Sequence, residues 1–367
     1  MMENSADLSS TSEEHVSCVF HQPPSFSKDD GTTSRKKKRS TEEEPDGKKK
    51  RLSLPSSQEP ESNDASDSGG SSSPEERISL KETTFSPKTT FEKPEISNGD
   101  TFEVKYKKEG LLGEGGCGSV YAGHRVADGL PVAIKYISSE NMCFREPADD
   151  GKQLPAEVAI MLKVADGRDG HVGTTAAVTL LDFYDLENQL IIVMERPTPA
   201  ECLFTYKKKK SRIEEEETKI ILKQLVQAAK ELEDKHIFHR DIKMENILIE
   251  TNSNVPRARL IDFGLSCLTE KDAHHTMFFG TVAHIPPEFD QTGSYSAGPT
   301  TVWQLGVLTY EVLHKRFFST SSFLRKKLGI SRELSRDCRN FLRSCLAPLP
   351  ETRPTLEELL CHPWLRR

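Results

Sequence analysis

Apolar and polar positions alternate from Phe102 to about Ile137, with turn residues between the runs. Period-two alternation broken by turns predicts short strands, and several in succession predict a small antiparallel sheet. A continuous apolar run, Leu190-Ile191-Ile192-Val193-Met194, predicts one more, buried strand ending at Glu195-Arg196-Pro197. Further on the period changes. Between Glu214 and Lys235, Ile221, Leu225, Ala229 and Leu232 recur along one helical face behind an acidic first turn, which suits a helix N-terminus. An earlier helix carries Glu157, and Met161 four residues later faces inward. The lysines at 207–210 and glutamates at 214–217 read as solvated faces. Strands first and helices afterwards predict an α+β chain.

Residues 1–101 lack this patterning and are rich in Ser, Glu, Lys and Pro. Such a segment cannot bury enough apolar surface to offset its ordering entropy, so it reads as a disordered arm. A chain of 367 residues has room for two or three average domains. With the arm set aside, residues 102–365 suffice for one domain with a sizeable core. The eight cysteines are scattered and form no CxxC pair. Neither a zinc site nor a disulfide framework is indicated, and a reducing compartment follows. No charge-free apolar run approaches the roughly 18 residues of a membrane span, and Met1-Met2-Glu3-Asn4 begins no signal peptide.

The chemistry is concentrated in a few motifs. His239-Arg240-Asp241 is followed by Lys243 and Asn246, and about 20 residues on by Asp262-Phe263-Gly264. HRDxKxxN before DFG asks for phosphoryl transfer from a magnesium-bound nucleotide. Asp241 would accept the proton of the acceptor hydroxyl, and Lys243 would neutralise charge on the moving phosphoryl group. Asn246 and Asp262 supply the oxygen ligands that magnesium prefers. Upstream, Gly113-Glu114-Gly115-Gly116-Cys117-Gly118-Ser119-Val120 reads GxGxxGxV between two apolar stretches. That suits a glycine-rich hairpin whose backbone approaches phosphates closely because no Cβ intervenes. Val132-Ala133-Ile134-Lys135 follows at strand spacing, so Lys135 fits the lysine on the α/β-phosphates, with Glu157 as its carboxylate partner.

These motifs identify the region as a protein-kinase domain, and within that superfamily it resembles the Pim kinases over residues 102–364. The finer resemblance rests on Leu130-Pro131-Val132-Ala133-Ile134-Lys135, on Glu195-Arg196-Pro197-Thr198-Pro199, and on Pro286-Pro287-Glu288. It also rests on Thr301-Val302-Trp303, which lacks the aspartate most kinases carry before Val-Trp, and on Thr352-Arg353-Pro354-Thr355 and His362-Pro363-Trp364. The resemblance implies a two-lobed fold: a β-rich N-lobe over about 102–194, a hinge at 195–200, and a helical C-lobe over 201–365. It implies an ion pair between Glu288 and Arg353 and independence from activation-loop phosphorylation, with Thr276 the expected site if any is used. With Met194 as gatekeeper, the Glu195 carbonyl remains available to adenine. Pro197 stands where a backbone N–H would donate and has none, a loss of about 1 kcal/mol. Leu112, Val120, Ala133, Leu248 and Ile261 are then left to hold adenine by apolar contact.

The chain also departs from that family. Cys117 replaces the aromatic residue at the tip of the glycine loop, so the phosphates are expected to be less well covered. Cys202, Thr205 and Met244 stand where Pim kinases have aspartates that hold basic substrates, and Arg325-Lys326-Lys327 follows a loop that is acidic there. Glu201 and Glu245 remain as anchors. Two basic clusters, Arg35–Arg39 and Lys48–Arg51, lie eight residues apart and read as a bipartite nuclear signal. Ser40 and Ser53 close behind them are candidate phosphorylation sites that would weaken it. Nucleic-acid binding is not expected, because no aromatic or folded module accompanies the charges and the net charge is −7. The reading is a monomeric, ATP- and Mg²⁺-dependent serine/threonine kinase of nucleus and cytoplasm, with protein substrates, nuclear import machinery as a partner and no membrane contact. The alternative is a pseudokinase scaffold.

Overall fold

The structure is a computed structural model that describes residues 102–142, 144–147, 151–165, 176–210 and 212–366. The predicted arm and both basic clusters lie outside the described residues. Three strands run as the alternation predicts: β1 (Tyr106–Gly115), β2 (Gly118–Arg125) and β3 (Pro131–Ser138). The apolar run becomes strand Gln189–Glu195, buried from Leu190 to Glu195, and it pairs with β3 and with Leu180–Asp185. All these pairings are antiparallel and close one five-stranded sheet.

The predicted sheet start is corrected at one point. Phe102–Lys105 forms a short helix, α1, instead of strand. Its Phe102 is buried and sets its ring edge-on against Tyr136 and Tyr184, 6.2 and 5.3 Å between centroids. Packing against the outer face of the sheet thus overrides the local alternation. β1 differs in another way: after Tyr106 every residue on it is exposed. A strand buries one face only where something packs against it, and β1 is an edge strand of the sheet.

Helix α2 (Ala156–Ala165) crosses the sheet, burying Glu157 and Met161 as expected. The larger lobe is helical. It contains α3 (Leu203–Lys210), α4 (Glu215–Asp234) and a long buried helix, Ala297–Leu313. On α4 Ile221, Leu225, Ala229 and Leu232 are all buried, so the sequence periodicity marks the core face. One apolar cluster runs from α2 through the sheet into these helices.

The two charge runs are not mere solvated faces. Lys207 donates to the carbonyl oxygens of Glu311 and His314, the latter at 2.7 Å, closing the C-terminal end of helix Ala297–Leu313. Glu215 accepts from the Ser335 N–H and hydroxyl, each at 2.7 Å, and from the Trp364 indole at 3.2 Å. A run of like charges gave no hint of which member had a tertiary partner. Arg353 reaches Glu288 with both terminal nitrogens, 2.8 and 2.6 Å, and lies over the Trp303 ring, forming the buried pair that the resemblance implied.

Candidate active site

The cleft between the lobes collects the motif residues. Lys135 on β3 is 3% exposed, and its ammonium donates to both Glu157 oxygens, at 2.7 and 3.0 Å, and to Asp262 Oδ1 at 2.8 Å. Burial lowers a lysine's proton affinity, but here the two carboxylates overcome it and push the pKa well above the usual range. Burial likewise raises Asp262, yet Lys135 and the Gly264 N–H hold its pKa at about 2. Glu157 is shifted upward, chiefly by burial.

Asp241 is held from several sides. Its Oδ1 accepts from the Thr281 hydroxyl at 2.8 Å and the Thr281 N–H at 3.1 Å. Its Oδ2 lies 2.7 Å from the Lys243 ammonium. Asn246 donates its amide nitrogen to the Asp241 carbonyl at 2.9 Å and to Asp241 Oδ2 at 3.2 Å, so its amide oxygen is the atom able to ligate a cation. His239 is buried, accepts from the Asp241 N–H at 3.3 Å, and packs edge-on against Phe263. Arg240 and Asp262 both occupy left-handed backbone, φ 70° and 62°, which non-glycine residues adopt at a cost of about 1–3 kcal/mol. Both are restrained by tertiary bonds.

One such restraint was not legible in the motifs. Gln304, beside Trp303 on the long helix, donates to the Arg240 carbonyl and accepts from the Ile242 N–H at 3.4 Å. It holds the backbone on both sides of Asp241, one turn along from the place where the sequence lacks the usual aspartate. Gln304→Ala is expected to lower kcat about tenfold with little change in the KM for ATP, checked by steady-state kinetics.

The glycine-rich strands meet in a two-residue turn, with Gly115 opposite Gly118. Gly118 has φ 117°, and a Cβ there would stand 2.2 Å from the Tyr136 carbonyl, so no other residue fits. Gly113 and Gly115 face open space, leaving backbone free to approach a ligand. Cys117 is half-buried, and its Cβ lies close to Gly264 of the Asp-Phe-Gly motif.

Leu112 is 53% exposed on β1, while Val120, Ala133, Leu248 and Ile261 are half-buried around the cleft beside Pro197. The Glu195 side chain has a role that sequence reasoning missed. It is buried in an ion pair with Arg259, which also reaches Glu250 at 3.0 Å and the Ala177 carbonyl at 3.0 Å. The hinge is therefore pinned to strand Arg257–Leu260, which leads directly to Asp262.

On the acceptor side the picture is corrected as well. Met244 is 1% exposed, so its side chain points into the lobe rather than toward a substrate. Cys202 and Thr205 are within hydrogen-bond distance of each other, 3.2 Å, and Glu201 lies 2.6 Å from Lys209. Glu245 alone of the two expected anchors is exposed without such a neighbour.

A two-lobed fold with a buried lysine–glutamate pair, an aspartate bonded to the same lysine and a second, buried aspartate on the loop after Arg240 defines a protein kinase. Comparison agrees: residues 106–365 match the protein kinase domain, and the chain belongs to the protein kinase family. It is 37% identical over 268 residues to the serine/threonine-protein kinase pim-2 of Danio rerio, covering 72% of this chain and 86% of that one. It is 31% identical to prk-2 of Caenorhabditis elegans and 30% to PSK2 of Saccharomyces cerevisiae, both serine/threonine-protein kinases. The matches cover 72% and 70% of this chain but 59% and 23% of those proteins. The chain is an enzyme that phosphorylates serine and threonine. No helix among the described residues is long and apolar enough to cross a membrane.

Proposed function

We propose that this kinase is Pim-like, uses ATP with Mg²⁺, and works without phosphorylation of its activation segment. The observation that carries the reading is the simultaneous reach of Lys135 to Glu157 and Asp262, the arrangement a nucleotide phosphate requires on both sides of the cleft. Asp262 and the Asn246 Oδ1 are hard oxygen donors and suit magnesium, which when bound would neutralise developing phosphate charge. Asp241 takes the proton of the acceptor hydroxyl at Oδ2, and the Lys243 ammonium beside it stabilises the transferring group. Lys135 orients the α/β-phosphates, while the backbone of Gly113–Ser119 covers them. Adenine lies against Leu112, Val120, Ala133, Leu248 and Ile261 and donates to the Glu195 carbonyl.

Pro197 gives a direct test of nucleotide binding. Pro197→Ala supplies the missing N–H and is expected to lower the KM for ATP about fivefold, since a neutral hydrogen bond contributes about 1 kcal/mol. An unchanged KM would count against the adenine pose.

Substrate choice is expected to depart from a strong preference for arginine upstream of the acceptor. Each carboxylate that meets an arginine contributes about 1–3 kcal/mol, and the groove beside Asp241 keeps Glu245 as its exposed acid. Because Met244 is buried, Cys202→Asp/Thr205→Asp is the informative pair of changes. It should sharpen arginine selection on a peptide array; steep selection already present in the wild type would refute the idea.

The domain arrangement proposed is an arm over 1–101 and a kinase domain over 102–365. The basic clusters in the arm would engage the nuclear import machinery. Alanine at both clusters should move a fluorescent fusion from nucleus to cytoplasm without altering kinase activity.

A further inference from the structure

Arg240 precedes the proposed base Asp241, and in kinases switched by phosphorylation a phosphate on the activation segment pairs with an arginine to order that segment. Here Arg240 already meets partners from the activation segment, and only its buried Nε is left without an acceptor. One terminal nitrogen lies 3.1 Å from His275 Nδ1. The guanidinium sits over the Phe279 ring at 4.6 Å and near the Phe238 ring at 5.9 Å. The far side of the imidazole, Nε2, is 3.1 Å from the Thr269 hydroxyl, which donates in turn to the Glu270 carbonyl at 3.2 Å. The histidine ring is itself clasped between Phe238 and Tyr295, with centroids 5.6 and 5.5 Å away. His275 pairs in register with Tyr295 in a short two-stranded ribbon, so the segment is held at this point by backbone as well.

The tautomer follows from chemistry. A guanidinium has only donors and does not lose its proton in proteins, so Nδ1 must be bare and accept. Nε2 then carries the hydrogen and donates to Thr269. Burial, Arg240 and His274 lower the pKa of this ring to about 4, in agreement with a neutral imidazole. The other groups facing the pair are the half-buried Cys267, close to Arg240, and Glu146, which lines the same cavity of about 400 Å³. The path of the segment is tight as well. Gly280 has φ 132°, and a Cβ there would stand 2.7 Å from the Arg240 carbonyl.

We infer that His275 is a positioning residue that stands in for an activating phosphate, accepting from Arg240 as a neutral group and so fixing the loop that carries Asp241. The aromatic faces take up the charge that a phosphate would otherwise balance. This goes beyond the reading of phosphorylation independence and rests on it, because it names the group that makes the phosphate unnecessary.

The test uses the whole chain after phosphatase treatment, with initial rates on a serine peptide. The wild type should retain its activity, and Thr276→Ala should match it. His275→Ala should lose roughly ten- to a hundredfold in kcat, with the KM for ATP within about twofold, because a base held loosely fails in the chemical step. His275→Asn, whose side-chain oxygen can accept near the Nδ1 position, should recover most of that loss, and His275→Lys should not. Inactivity of the phosphatase-treated wild type would remove the phosphorylation-independent reading itself. Full activity in the wild type and in His275→Ala would remove only the role of His275. Nitrogen-15 NMR of the folded wild type provides a check that needs no variant: His275 should show Nε2–H with a bare Nδ1 at neutral pH. A ring protonated at Nδ1 would overturn the inference.

Discussion

Exchange of Asp262 for asparagine is expected to lower kcat by about a thousandfold while leaving the melting temperature nearly unchanged. The carboxylate lies 2.8 Å from Lys135 and accepts from the Gly264 N–H. Asparagine preserves the size of the side chain but removes the negative charge that anchors the lysine and would bind magnesium. The fold should survive because Lys135 keeps both bonds to Glu157. Phosphate transfer from labelled ATP to a serine peptide checks this result. If the wild type transferred no more phosphate than Asp262→Asn, the domain would be a scaffold. The carboxyl's pH behaviour follows from its depressed pKa. Its folded value of about 2 lies below the usual 3.8, so its contribution to stability is present above the usual value and is lost as pH falls towards 2. Loss of activity at mildly acidic pH must therefore come from another group.

The second large effect is on stability. Arg259→Met should destabilise the folded chain by about 3–5 kcal/mol, read as a lower urea midpoint at unchanged slope. Arg259 sits between Glu195 of the hinge and Glu250, and all three side chains are buried or nearly so. Methionine fills much of the same space but leaves Glu195 with only the Thr179 N–H and hydroxyl, and Glu250 with only the half-exposed Arg257 at 3.7 Å. Breaking a buried pair costs far more than the intact pair contributes, because the remaining charge cannot regain its water. A change of less than about 1 kcal/mol would mean that solvent reaches the cluster and screens it. Arg259→Met/Glu195→Gln/Glu250→Gln should regain much of the loss, since the uncompensated charges leave together.

The motif residues that the cleft collects were all named from sequence. Lys135, Glu157, Asp241, Asn246 and Asp262 stand in short runs, and each run is set by local geometry: a glycine hairpin, a strand, a loop before a strand. Apolar periodicity also marked α4 and the buried strand Gln189–Glu195 correctly, because burial on one face is what periodicity records. It went wrong at Phe102–Lys105, where partners far along the chain chose a helix.

What the sequence determined by itself was therefore the set of chemical groups, their order, and the fold class that brings strands before helices. Only the tertiary structure decided which polar side chains serve that chemistry from a distance. Gln304 meets the catalytic loop from 64 residues further along the chain, Arg259 meets Glu195 across 64, and Arg240 meets His275 across 35. It also turned Met244 inward and gave Lys207 and Glu215 bonds to distant elements that a run of like charges does not reveal. The reason is physical: a spacing pattern reports a residue's own element, whereas a hydrogen bond or ion pair depends on where two elements meet. That meeting is set by the packing of the whole core.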